Sequence, residues 1–121
     1  KRGDNLAFTP YACHNVSNLL FFESPAGVGY SYNLDPNYKN YDFTTADDNM
    51  NALIDFFKKY PEYLRNRFWI AGESYAGKYI PDLAVLIDKF NQNSGANPIN
   101  FKGILVGNGV MNFEDGHLEK S

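Results

Sequence analysis

Three short apolar runs, each closed by a Gly- or Pro-containing turn, alternate with two amphipathic helical repeats, and this order predicts an α/β chain with a parallel sheet. A helix between two strands carries the chain back to the end where it started, so such strands run parallel. Near-continuous apolar runs are the pattern of strands covered on both faces. The predicted strands lie near 16–22, 68–71 and 103–107, and the predicted helices near 45–60 and 75–92.

Residues 1–15 are polar and turn-rich, and Val16-Ser17-Asn18-Leu19-Leu20-Phe21-Phe22 follows as a buried-strand candidate ending before Pro25-Ala26-Gly27. The Gly- and Tyr-rich segment to Tyr41 reads as surface loop. Thr44 or Thr45 is then placed to cap a helix, with Asp47 and Asp48 near its positive end. Ala46, Met50, Leu53, Ile54 and Phe57 recur at helical spacing, and Lys58, Lys59 and Pro61 mark the end. Phe68-Trp69-Ile70-Ala71 runs into Gly72-Glu73-Ser74-Tyr75-Ala76-Gly77, and a second helical stripe continues through Leu83, Leu86, Ile87 and Phe90. Pro81 falls in the early turns of that helix, and Asn93-Ser94-Gly95 ends it. The Asn-rich stretch from Asn91 to Asn100 reads as a solvated loop before the last strand, Gly103-Ile104-Leu105-Val106-Gly107, whose following Asn108 is suited to anchoring a turn through side-chain hydrogen bonds.

The chain has 121 residues, 44% of them hydrophobic and 17% aromatic, enough apolar side chains to build a packed core. A net charge of −3 excludes a strongly basic nucleic-acid binder. The longest unbroken apolar stretch, Leu83 to Ile87, is far below the ~18 residues of a membrane span. One cysteine, Cys13, closes no internal disulfide, and no Cys/His spacing resembles a metal site; no cofactor is expected. The absent initiator Met and the apolar cluster close to Ser121 suggest an internal piece of a longer protein. Three strands and two helices make a narrow layer that would be marginal by itself.

The turn at Ser74 carries the chemistry. A nucleophilic serine on a sharp turn from strand to helix needs small residues two before and two after it, and Gly72 and Ala76 stand there. The helix beginning beyond it directs its dipole and N–H groups at the turn, so the Tyr75 N–H is suited to stabilising an oxyanion. A serine in this position can also be a simple helix cap. Gly72 to Lys78 further fits the phosphate-binding pattern G-x-x-x-x-G-K. Against a nucleotide site stand Tyr79 in place of a Mg²⁺-binding Ser or Thr, Glu73 facing the phosphates, and no acidic residue ending the 104–106 strand.

Gly72-Glu73-Ser74-Tyr75-Ala76-Gly77-Lys78-Tyr79-Ile80-Pro81 closely resembles the nucleophile segment of the serine carboxypeptidases, and Asn18 to Tyr32 resembles their upstream strand and loop. Gly103 to Gly109 is similar to a third block of that family, so the resemblance spans most of the chain. It implies an α/β-hydrolase that releases C-terminal residues from peptides through an acyl-enzyme on Ser74, with a Ser, Asp, His triad in that order, and that residues 1–121 are the central, incomplete portion of its single catalytic domain. It further implies that Tyr75 supplies an oxyanion N–H and that Glu73 binds the free terminal carboxylate of the peptide through a shared proton, which favours acid pH and suits a vacuolar, lysosomal or extracellular setting. A helix-terminal charge is the alternative role for Glu73. The family's Asp and His blocks and its upstream Asn-Gly-Gly-Pro-Gly segment are not found in this sequence, and neither His14 nor His117 is assigned to catalysis. These 121 residues are therefore expected to be inactive alone. An acyltransferase on the same scaffold and a non-catalytic binding homologue stay open. Glu23 reads as a structural carboxylate, Tyr30 and Tyr32 as packing residues, and Asn15-Val16-Ser17 as a glycosylation sequon that fifteen asparagines make a plausible chance match.

Overall fold

A computed structural model describes residues 7–95 and 97–111. A 3-10 turn, Cys13–Asn15, opens the described chain, and helix α1 covers Asp42–Lys59. After a second 3-10 turn at Pro61–Tyr63 come strand β1, Phe68–Glu73, helix α2, Ala76–Asn93, and strand β2, Phe101–Gly107. The two strands pair in parallel, from Phe68 beside Phe101 to Glu73 beside Gly107. This is the α/β class the sequence predicts.

Helix α1 starts earlier than Thr44. Tyr41 is the N-cap residue, and Thr44, in the first turn, accepts the Tyr41 N–H on its hydroxyl at 2.8 Å and donates to the Tyr41 carbonyl at 3.0 Å. The hydroxyl thus satisfies the helix entrance from inside rather than from the cap position. Pro81 is the sixth residue of α2, past the positions whose N–H groups lack a helical partner, so it removes one backbone bond from the helix.

The core lies between the two helices and one sheet face. Met50, Leu53 and Phe57 from α1 meet Leu83 and Ile87 from α2, together with Ile99. Leu53 is 1% exposed and Ile87 fully buried, each such side chain contributing roughly 1.5–3 kcal/mol by leaving water. Phe57 meets Phe68 of β1 edge to face at 5.7 Å, which joins α1 to the sheet. Asn91, expected in a solvated stretch, is helical, and its amide brackets Ile99: Nδ2 donates to the Ile99 carbonyl at 2.8 Å and Oδ1 accepts the Ile99 N–H at 2.7 Å. Those two bonds hold the connection that delivers β2 beside β1.

Two expectations fail. Residues 16–22 form no strand: Val16 lies in a turn, residues 18–24 have no regular structure and no ladder partner among the described residues, and Val16 and Phe21 stay 89% and 83% exposed. Apolar content supplies a reason to be buried, whereas a strand also needs a neighbour to take its N–H and C=O groups. Among the described residues the sheet is likewise covered on one face only. Along β1, partly buried Phe68, Ile70 and Gly72 alternate with exposed Trp69, Ala71 and Glu73, because α1 and α2 both pack on the same side.

Candidate active site

Strand β1 ends at Glu73, and the chain turns through Ser74 and Tyr75 directly into α2. Ser74 has φ 58°, the left-handed region that an L residue enters at a cost of roughly 1–2 kcal/mol. Three backbone bonds hold it there. The Ser74 N–H donates to the Gly107 carbonyl at 3.0 Å, and the Ser74 carbonyl accepts from Gly77 at 3.0 Å and from Val110 at 2.9 Å. Two of those partners belong to β2 and its exit loop, where Asn108 also has a positive φ, 45°. The left-handed backbone of Asn108, a conformation Asn tolerates, makes the turn and brings Val110 back against Ser74.

Close backbone approach explains two of the small residues. A Cβ on Gly72 would lie 2.5 Å from the Ala76 Cβ and 2.8 Å from the Ile80 Cδ1. A Cβ on Gly77 would lie 2.8 Å from both the N and O of Val110. The first contact lets the chain double back from β1 into α2. The second lets the exit loop of β2 brace the turn.

Ser74 is exposed, and among the described residues no imidazole or carboxylate is hydrogen-bonded to its hydroxyl. His14 is an exposed residue of the 3-10 turn, and His117 lies outside the described residues. Glu73 is exposed at the end of β1, on the open sheet face, immediately before Ser74. Tyr75, the N-cap residue of α2, places its backbone N–H at the positive end of that helix. Its ring lies 5.1 Å from that of Tyr79, and its hydroxyl donates to Asp42 Oδ1 at 3.1 Å. Partial burial, and then the bond to Asp42, raise the Tyr75 phenol above its ordinary value of 10.0.

Asp42 and Val110 are site contacts the sequence did not disclose. Asp42 stands 33 residues before Tyr75, so no local spacing joins them; Val110 leaves only an indirect signal, the glycine at 77 that makes room for it. Elsewhere, Glu23 takes the structural role expected of it, its carboxylate accepting the Tyr30 N–H. Tyr30 and Tyr32, expected to pack, are instead 94% and 77% exposed, and border an open groove between the 21–33 loop and α1 that does not include Ser74. Their rings follow a loop held through its backbone, which leaves the side chains outside. No group of His, Cys, Asp and Glu among the described residues could hold a metal ion, and no helix there is long and apolar enough to cross a membrane.

Comparison with known proteins places this arrangement. The chain is 47% identical over 120 residues to serine carboxypeptidase ctsa-4.1 of Caenorhabditis elegans, covering 95% of this chain and 24% of that protein. It is 45% identical over 112 residues to the lysosomal protective protein of Mus musculus, covering 93% and 22%. Among solved structures it superposes on the prohormone-processing carboxypeptidase Kex1(delta)p of Saccharomyces cerevisiae with a TM-score of 0.64 and 30% identity, over 72% of this chain and 20% of the other. The parallel pair and its helices are part of an α/β-hydrolase fold, and the chain spans about a fifth to a quarter of the length of the proteins it matches. The sequence profile of the serine carboxypeptidases matches residues 1–120, and this chain therefore belongs to the serine carboxypeptidase family.

Proposed function

We propose that this chain is the nucleophile-bearing central portion of a serine carboxypeptidase that cleaves the last peptide bond of a substrate with a free C-terminal carboxylate. The observation that carries the proposal is the left-handed Ser74 at the turn between β1 and α2, flanked by Glu73 and Tyr75. Strain of this kind concentrates at functional sites and needs bracing by its surroundings, which Gly107 and Val110 supply.

In the proposed reaction Ser74 Oγ attacks the carbonyl carbon of the last peptide bond while a base accepts its proton. The oxyanion that forms is stabilised by the Tyr75 N–H at the helix terminus. The C–N bond breaks, the terminal amino acid leaves with a proton, and water then hydrolyses the ester on Ser74. Glu73 holds the substrate's terminal carboxylate. Two ionised carboxylates repel at contact, so one shared proton is required, and binding weakens as pH rises.

The described residues hold the nucleophile without a base, and general acid–base assistance is worth ~10²- to 10⁴-fold. The 121 residues alone are accordingly expected to turn over no substrate. A lysosomal or other secretory-route setting fits the acid preference and the name of the mouse relative.

Fluorophosphonate labelling of the full-length protein at mildly acidic pH tests the reading. An adduct at Ser74, together with release of the terminal amino acid from a blocked dipeptide that is lost in Ser74→Ala, is the expected result. No adduct overturns the proposal in favour of a non-catalytic homologue. An adduct with transfer to an alcohol and no peptide cleavage overturns it in favour of an acyltransferase.

A further inference from the structure

We propose that Asn15 carries an N-linked glycan in the mature protein. The inference rests on the secretory route of the preceding section but not on the catalytic role of Ser74.

Asn15-Val16-Ser17 is the sole Asn-x-Ser/Thr sequence in the chain. With fifteen asparagines the motif alone decides little, since one such match is expected by chance. The local geometry of the described residues favours it as an acceptor. Asn15, Val16 and Ser17 are all exposed, and Val16, the central residue, is 89% exposed. The segment is a closed turn: the Asn15 N–H donates to the Ala12 carbonyl at 3.0 Å, and the Val16 and Ser17 N–H groups both reach the Cys13 carbonyl at 3.1 Å. These N–H groups are satisfied within one 3-10 turn, outside both α-helices and the sheet.

The side chains fit the same reading. Ser17 donates its hydroxyl to the Cys13 carbonyl at 3.1 Å, and Asn15 Nδ2 donates to the Pro10 carbonyl at 3.0 Å. A carboxamide nitrogen has two hydrogens, and glycosylation replaces one. The remaining N–H can keep a hydrogen bond while the sugar projects into solvent. Asn91 differs in being part-buried, with its Nδ2 donating to the Ile99 carbonyl and its Oδ1 accepting the Ile99 N–H, so that its amide has no outlet for a sugar.

The transfer uses a lipid-pyrophosphate-linked oligosaccharide, the general donor of the secretory route. Asn15 Nδ2 attacks the anomeric carbon, the N–C bond forms, the C–O bond to pyrophosphate breaks, and the amide proton leaves with the departing lipid pyrophosphate.

The test expresses the full-length protein behind a secretion signal, with a known acceptor sequon appended at its C-terminus as an internal control. The peptide containing Asn15 is read by mass before and after amidase deglycosylation in ¹⁸O water, which converts a glycosylated Asn to ¹⁸O-labelled Asp. The expected result is label at Asn15 in most chains, abolished by Asn15→Gln and by Ser17→Ala and retained in Ser17→Thr. An occupied control sequon with an unlabelled Asn15 overturns the proposal. Fluorophosphonate labelling of the same sample reads Ser74 separately, so loss of the glycan and loss of the catalytic reading cannot be confused.

Discussion

Replacing Gly72 by Ala tests the geometry that lets β1 turn into α2. The added Cβ would sit 2.5 Å from the Ala76 Cβ and 2.8 Å from the Ile80 Cδ1, against an ordinary carbon–carbon separation of about 3.5–4.0 Å. Ile80 Cδ1 is the end of a side chain and can rotate, although Ile80 is 4% exposed and has little room. The Ala76 Cβ is fixed to the backbone of α2, so relief there requires moving the first turn of the helix by about 1 Å. Overpacking of this kind costs roughly 1–3 kcal/mol, and because the obstacle is main-chain-bound we expect about 2 kcal/mol, a thirtyfold loss in the folding equilibrium. The same displacement moves Tyr75 and Ser74, so fluorophosphonate labelling slows along with the drop in urea midpoint of the full-length protein. Ala76→Gly, introduced into the Gly72→Ala protein, removes the colliding methyl and recovers more than half of both losses. A Gly72→Ala protein within 0.5 kcal/mol of the parent and labelled at the parental rate would refute the close-approach argument.

The left-handed backbone at Ser74 predicts that Ser74→Gly and Ser74→Ala both abolish labelling, yet the glycine protein is the more stable by about 1 kcal/mol, because only glycine occupies φ 58° freely; equal melting profiles would contradict this. For Glu73, the proposed shared proton predicts that KM for a peptide rises with pH in the parent and changes little in Glu73→Gln, whose amide donates without titrating; parallel KM profiles would contradict the role. The phenol of Tyr75 is raised above 10.0 by burial and by Asp42, so the folded chain keeps that proton to higher pH than the unfolded chain does. This pair's contribution to stability is complete below about pH 10 and disappears as pH climbs through the folded value. In Asp42→Ala the Tyr75 resonance, followed by ¹³C-tyrosine NMR, titrates at lower pH than in the parent, and an unchanged titration would remove Asp42 as its partner.

Local order was legible without coordinates. Helical spacing of Met50, Leu53 and Phe57, and of Leu83 and Ile87, marks the faces that meet in the core, and Gly72, Ser74 and Ala76 identify the turn, since these are constraints between residues a few positions apart. The parallel pairing of β1 and β2 follows from the helix between them. Three things required the folded chain. The run at 16–22 is as apolar as β1, but whether it becomes a strand depends on a partner edge, a long-range property that hydrophobicity does not encode. The bracing of Ser74 by Val110 and the bond from Tyr75 to Asp42 join positions 36 and 33 residues apart, a separation at which sequence spacing has no period to read. The exposure of Asn15 among the described residues is of the same kind: a three-residue motif names a possible acceptor, and only tertiary packing determines whether solvent reaches it.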